Sequence, residues 1–378
     1  MSWGVSTLEE VREEFVNLCL ATGANRRELC RRFGISAPTC YKWLARSTEG
    51  FTDRSRRPRS SPLRTPESVE LAVLALRTEH PTWGARKLRR RLLDLGHEHM
   101  PSPSTITQIL RRHDRLGGAA GQPRDWQRFE REAPNSLWQM DFKGHIQMGG
   151  RRCHPLTLLD DHSRYSLGVF ACDNEQGDTV QGRLVGVFGR YGMPETILCD
   201  NSSPWAHWDH GSGITKLGAW LIRLGIQVIH GRPYHPQTQG KLERFHRTLK
   251  ADAIQGRYFA ELGQWQTAFD AFRHTYNHHR GHDELDLAVP AKLYSPSKRS
   301  FPSHLPEPEY DSTDLVRLVR ANGMVSYKGG QFFVSRGLIG EHVGIRPSSQ
   351  DGVLEVRYFS QIVTQVDLRH NLNTGPDV

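Results

Sequence analysis

Hydrophobic residues fall at helical spacing through the N-terminal part of the chain. Leu8, Val11, Phe15, Leu18 and Cys19 recur at intervals of three and four, which predicts a helix from Thr7 to Leu20. Asn25-Arg26-Arg27-Glu28 has the form of a capping box opening a second helix to Phe33. After the turn at Gly34-Ile35-Ser36, Ser36 caps a third helix through Leu44. Helix, glycine turn, helix is the helix-turn-helix pattern. It sets Thr39, Lys42 and Arg46 toward DNA and Ile35, Trp43 and Leu44 inward; a generic three-helix domain is the alternative.

The pattern divides the rest of the chain. Residues 1–50 form the first helix-turn-helix domain, and 51–66 a linker with five arginines and one acid that cannot bury a core. Arg54, Arg56 and Arg57 in that linker are candidates to track phosphates or enter a minor groove; a flexible tether is the other reading. Residues 67–114 predict a second helix-turn-helix domain, with helices over Glu67–Arg77, Ala85–Leu95 and Ser104–Arg112. Its third helix, capped after Pro101-Ser102-Pro103, offers Thr105 and Thr107 to DNA. Residues 115–134 read as a second linker. Beyond it the period changes to that of strands: Leu137–Phe142, Cys153–Leu159 and Tyr165–Ala171, then a helix over Thr179–Tyr191, a strand over Thr196–Cys199, and mostly helix to about 295. This is an α/β domain over 135–297. Short strands with turn signals at Asn322-Gly323, Gly329-Gly330 and Asp351-Gly352 predict a small C-terminal β-barrel over 310–370.

Charge adds where the chain meets its partner. Residues 1–134 hold 24 Lys+Arg against 16 Asp+Glu, a balance of +8, whereas the whole chain is +9. A basic N-terminal third suits capture of a polyanion by one part and action on it by another. No apolar run reaches the length of about 18 residues needed to cross a membrane. The start, MSWGVSTLEEVREEF, is acidic where a secretory signal is basic, and a cytoplasmic, nucleoid-associated protein is expected. Six cysteines without a C-x-x-C pair argue against a disulfide framework or a zinc site and are expected as small buried hydrophobes.

Three carboxylates carry the candidate chemistry. Asp141 lies on the first α/β strand, Asp200 at the C-terminal end of Ile197-Leu198-Cys199, where α/β sheets favour ligand sites. Glu243 lies early in a helix beginning near Gln239, whose buried stripe is Leu242, Phe245 and Leu249. Arg247 and Lys250 share its stripe, where they would hold DNA phosphate; a surface ion pair is the plainer reading. Phosphodiester cleavage needs an activated water and a stabilised leaving oxygen. Two hard cations about 3.5–4 Å apart, held by two or three carboxylates, serve both needs. Asp160 and Asp161 sit in a turn where Asp bonds locally. His235 is a candidate to orient the loop or a substrate phosphate, with a structural role as the alternative.

Trp138–Asp141, Asp160-Asp161-His162-Ser163-Arg164, Tyr191-Gly192-Met193-Pro194, Asp200-Asn201, the long run Gly231–Arg244 and Tyr276-Asn277-His278-His279-Arg280 resemble the catalytic core of the retroviral-integrase superfamily. In particular they are similar to bacterial insertion-sequence transposases of the four-eight-one group. The resemblance implies a ribonuclease-H-like core with Asp141, Asp200 and Glu243 as an acidic triad. It also implies Mg2+ or Mn2+, as two ions, binding of the element's terminal inverted repeats, and transfer of 3′ ends into target DNA. Lys250 matches a basic position expected to contact DNA. Two departures stand out: 42 residues (201–242) separate Asp200 from Glu243, more than the family pattern has, and Ser202 replaces the glycine usual after Asp-Asn. The added length falls in residues 205–213, a further candidate DNA contact.

The expected function is metal-dependent DNA transposition by a homo-oligomer on double-stranded DNA, both element ends and target. A catalytically silent DNA-binding protein derived from a transposase and a metal nuclease without strand transfer are the alternatives.

Overall fold

The structure, a computed structural model, describes residues 7–55, 64–116, 131–201, 203–206, 213–230 and 240–369. The chain divides into two compact units, residues 1–64 and 65–378.

In the first unit α1 (Leu8–Leu20), α2 (Arg26–Arg32) and α3 (Ala37–Leu44) follow their local signals. Thr7, Asn25 and Ser36 each accept a backbone N–H three residues on, which satisfies donors that a helix start leaves free. Phe15, Val16, Cys19, Cys30, Cys40 and Trp43 form the core, while Leu8 and Val11, on the same expected stripe, are exposed.

The second unit opens with α4 (Glu67–Glu79), α5 (Ala85–Asp94) and α6 (Pro103–Arg112) around Val73, Trp83, Leu88, Ile106 and Ile109. Ser102 caps α6 as Ser36 caps α3, each with proline in the first turn. The α/β part holds β1 (Trp138–Phe142), β2 (Ile146–Met148), β3 (Arg151–Asp160), β4 (Ser166–Cys172), α7 (Gly177–Tyr191), β5 (Thr196–Cys199), α8 (Lys216–Arg223), β6 (Gln227–His230), α9 (Gly240–Leu249) and α10 (Leu262–His278). Its sheet runs β2-β3-β1-β5-β6, with β4 also paired to β3. β1 is antiparallel to β3 and parallel to β5.

Two apolar layers flank the sheet. Trp138, Met140, Leu156, Leu158 and Ile197 pack with α7 and α8. Cys153, Leu159, Val169 and Ala171 pack on the other face with Leu242, Phe245 and Leu249 of α9 and Trp265, Phe269 and Phe272 of α10. The alternation along β3 and β4 is what sends side chains to both layers. β2 and β6 were not expected. Both are short, and in β6 no residue is buried (the first is exposed), so neither carries a clean period of two.

The motifs of the sequence have structural tasks. Gly192 has φ +74°, and a Cβ there would stand 2.6 Å from the Ser297 carbonyl oxygen, so the turn after α7 requires glycine. Asn277 is buried on α10 and completes the edge of β4: its Oδ1 accepts from Ser166 N at 2.8 Å and its Nδ2 donates to Ser166 O at 2.9 Å. Asn277→Leu keeps the volume but strands both backbone groups, a cost of roughly 3 kcal/mol. Urea denaturation should show this as a lower midpoint at unchanged slope; an unmoved midpoint removes this account of Asn277.

All six cysteines are free and buried, as small hydrophobes. The expected barrel is corrected. β7 (Leu315–Leu318), β10 (His342–Pro347), β11 (Val353–Tyr358) and β12 (Gln361–Asp367) form an open antiparallel sheet in the order β12-β11-β10-β7. β8 (Met324–Tyr327) and β9 (Gly330–Phe333) pair only with each other among the described residues. The apolar face of this sheet packs with Ala219 and Ile222 of α8. A neighbouring helix supplies the cover that closure would otherwise provide.

Candidate active site

β1 points alternate residues to opposite faces. Trp138 and Met140 face α7 and α8, so Gln139 and Asp141 face the layer of α9 and α10. On β5 Ile197 and Cys199 share the layer of Trp138, which turns Asp200 the same way as Asp141. The parallel register pairs Trp138 with Ile197 and Gln139 with Leu198, an offset of 59 (197 − 138). The same offset carried two residues on sets Asp141 opposite Asp200 (141 + 59), at the C-terminal ends of adjacent parallel strands. Far apart in sequence, two acids meet by register.

Their proximity is visible in their chemistry. Burial first, and then the charge of Asp200, push the Asp141 carboxyl up to about 7; Glu175 adds to this, while the Phe142 N–H and Lys143 oppose it. The Cys199 thiol is raised well above its ordinary value by burial and by both aspartates. Each aspartate is also held by its backbone. His230 Nδ1 lies 2.9 Å from the Asp200 carbonyl oxygen, and the Thr157 hydroxyl donates to the Asp141 carbonyl at 2.9 Å.

The Thr157 hydroxyl also lies 2.7 Å from His246 Nε2 on α9. Its one hydrogen serves Asp141, so His246 donates from Nε2 and is the neutral Nε2–H tautomer. Burial and then Lys143 hold the pKa of His246 down to about 3, in keeping with that state. Five residues earlier, Lys241 Nζ lies 2.7 Å from Asp161 Oδ2. Asp161 is wholly buried and takes Gln139 Nε2 at 2.7 Å and Arg131 N at 3.0 Å. Asp160, equally buried, accepts from Asn135 N, Ser163 N and Ser163 Oγ. The paired aspartates of the turn are thus internal acceptors.

Glu243 is exposed on α9 between Lys241 and His246. Arg244 beside it pairs with Glu284. Among the described residues no three His, Cys, Asp or Glu side chains are gathered as holding a metal ion requires. The strand register brings Asp141 and Asp200 together, and Glu243 lies on α9, in the layer that Asp141 faces. Glu175, which Asp141 feels and which lies 2.7 Å from His154 Nδ1, carried no signal in the sequence, because nothing local marks an acid before α7 as a neighbour of β1.

The DNA-contact candidates are placed as follows. Thr39 and Thr105 turn their hydroxyls to the capping serines Ser36 and Ser102, and Thr107 bonds the Pro103 carbonyl. Lys42, Arg247 and Lys250 are all exposed on helix surfaces, and Arg54 pairs with Glu49. Arg46 is a correction: it is buried, donates to the Thr52 carbonyl at 2.8 Å and lies 4.7 Å from the Trp43 ring centroid. The ring face and that carbonyl draw the guanidinium inward. Arg56, Arg57 and His235 lie outside the described residues, as do 231–239 and 207–212.

Known proteins share these parts. Integrase core domain models match residues 131–236 and 224–290, a homeodomain-like domain 39–110 and a helix-turn-helix domain 11–59. The C-terminal domain of IS481 family transposases matches residues 314–374. The chain is similar to integrase cores over residues 131–290 and to IS481 family transposases over its C-terminal domain. Two curated relatives are uncharacterized insertion-element proteins. The IS407 protein of Burkholderia multivorans is 24% identical over 59% of this chain and 81% of its own length. The IS476 protein of Xanthomonas euvesicatoria is 25% identical over 42% of this chain, which spans only 44% of that relative. A simian T-cell lymphotropic virus intasome structure, solved with a PP2A regulatory subunit, has 15% identity, covers 78% of this chain and 99% of its own, and superposes at a TM-score of 0.38. The matches thus join helix-turn-helix domains to an integrase core. No helix among its described residues is long and apolar enough to cross a membrane.

Proposed function

We propose that this chain is a DNA transposase that binds the terminal inverted repeats of its element and cleaves and joins DNA with Asp141, Asp200 and Glu243. The observation that carries the reading is the register of β1 against β5, which sets two carboxylates face to face at the strand ends of an integrase core. Their charges repel each other, and Lys143 and the Phe142 N–H offset this only in part at Asp141. Hard carboxylate oxygens in that state fit Mg2+ or Mn2+. Asp141 and Asp200 would hold the ions, with Glu243 as the further carboxylate; when bound, a pair of such ions supplies an activated water and neutralises the leaving 3′ oxygen.

The chain's own residues orient the strand and exclude error. Thr157 and His230 fix the two aspartate backbones, so neither carboxylate swings with its strand end. Arg247 and Lys250, one and two turns beyond Glu243, hold the phosphates of the strand being cut. Helix-turn-helix domains at 1–50 and 67–114, joined by the 51–66 linker and followed by a linker at 115–134, read the element end. Their contacts are Thr39, Lys42, Thr105 and Thr107, with the linker arginines on phosphate. The core is residues 135–297, and 310–370 is the C-terminal domain. Action on two ends at once calls for a homo-oligomer on DNA, in the cytoplasm at the nucleoid.

The second reading is a catalytically silent DNA-binding protein derived from a transposase. Incubation with labelled element-end DNA, target DNA and Mg2+ or Mn2+ separates these. Joined products are expected; hydrolysis alone points to a nuclease, and binding with neither supports the silent protein.

A further inference from the structure

Two polar groups of α9, on either side of Glu243, are joined to the strand that carries Asp141. Lys241 reaches Asp161 through Nζ to Oδ2 at 2.7 Å and to its carbonyl oxygen at 3.2 Å. Asp161 in turn holds Gln139, two residues before Asp141 on β1. His246 reaches Thr157, which holds the backbone of Asp141 itself. One link lies two residues before Glu243 and the other three residues after it.

The apolar stripe of Leu242, Phe245 and Leu249 already buries α9. An apolar stripe alone tolerates sliding and small rotations, because dispersion contacts are weak singly and non-directional. Hydrogen bonds at two points along a helix, directed to two neighbouring elements, restrict both movements. Nor does stability explain them. A buried ion pair such as Lys241–Asp161 is at best near break-even against an apolar pair of equal volume, and its best-attested service is to fix register. A buried imidazole also gives up solvation that a leucine would not.

We propose that Lys241 and His246 are positioning residues that fix the rotation and register of α9, and through it the placement of Glu243 relative to Asp141. This rests on the reading of Glu243 as a catalytic carboxylate. Positioning partners of metal-holding side chains typically account for about 10- to 100-fold in activity or affinity.

The test uses the full chain and five variants. His246→Leu and Lys241→Met remove the links and keep the volume; His246→Gln retains an amide N–H toward Thr157. Glu243→Gln tests the catalytic reading, and Thr157→Val breaks the relay at its middle. Single-turnover joining, end-DNA affinity, thermal midpoint and amide hydrogen exchange over residues 240–249 are measured for each. The expected result is a loss of about 10- to 100-fold in joining for His246→Leu, Lys241→Met and Thr157→Val. Joining is read well below every variant's thermal midpoint, because Lys241→Met leaves the buried Asp161 unpaired and lowers that midpoint; affinity should be held, exchange in α9 should quicken, and His246→Gln should recover most of the rate. Unchanged joining or unchanged exchange in the three disrupting variants overturns the proposal. So does a loss of rate that follows the thermal midpoint and is not recovered by glutamine. If Glu243→Gln joins ends at the wild-type rate, the catalytic reading of Glu243 is what has failed. If it abolishes joining while the link variants do not, only the positioning proposal falls.

Discussion

Asp141→Asn should lose joining activity by at least about a thousandfold and, in the same preparation, be more stable than the wild-type chain in chelator at pH 8. Both effects come from one carboxylate. In the folded chain its pKa is raised to about 7 from 3.8, by burial and by Asp200. Below pH 4 the group is protonated in both states and costs nothing. As the pH rises through 7 the unfolded chain has long released the proton while the folded chain must give it up against Asp200, so stability is progressively lost. Ionising a carboxyl raised that far costs the folded chain on the order of 4 kcal/mol. Asparagine escapes that cost. The thermal midpoint of Asp141→Asn should exceed that of wild type at pH 8, and the gap should close toward pH 4. Mg2+ should narrow it at pH 8 by stabilising wild type alone. End-DNA affinity should be unchanged, since neither helix-turn-helix domain is touched. Wild-type turnover in this variant would sink the catalytic assignment, and a pH-independent gap would sink the electrostatic one.

Acidification should unfold the chain through two histidines. His246 and His282 are both held down to about 3, chiefly by burial, with Lys143 acting on the first and Arg280, Lys87 and Arg164 on the second. A histidine whose folded pKa lies below its unfolded 6.5 gives stability that is complete above 6.5 and lost as the pH falls toward 3. Each contributes on the order of 5 kcal/mol to that loss, while reprotonation of Asp141 works in the opposite direction over pH 7 to 4. The net slope favours unfolding in acid. His282→Phe isolates one contribution: its Nε2 has no hydrogen-bond partner among the described residues, and its ring meets Tyr276 edge-on at 4.6 Å. The acid midpoint of this variant should fall by a measurable part of a pH unit in circular dichroism titrations. An acid midpoint identical to wild type would show that burial of this imidazole is not what makes the chain acid-labile.

What could be read without a structure was local. The caps at Asn25 and Ser36, the capping turn before Thr105, the stripe Leu242-Phe245-Leu249 and the strands β1, β3, β4 and β5 follow from neighbours within a few residues, where backbone donors and a single period decide the outcome. The resemblance to integrase cores and insertion-sequence transposases was legible too, since motif runs are sequence by nature. Tertiary contacts overrode local expectation at identifiable places. Arg46 turned inward because Trp43 and the Thr52 carbonyl offered it more than solvent did. The C-terminal strands stayed an open sheet because α8 covers their apolar face. Asp160 and Asp161, read as turn residues, became buried acceptors because Asn135, Gln139 and Lys241 converge on them from elsewhere in the chain.

By itself the sequence determined the helices, the strand periods, the charge-rich N-terminal third and which acids were candidates. Only the tertiary structure decided that Asp141 stands opposite Asp200, that Glu175 is felt at the site, and that His246 and Lys241 link the helix of Glu243 to the strand of Asp141. The physical reason is range. Helix caps and side-chain alternation are settled over three or four residues, whereas strand register and buried polar links depend on partners 59 or 89 positions away, for which no local pattern is a record.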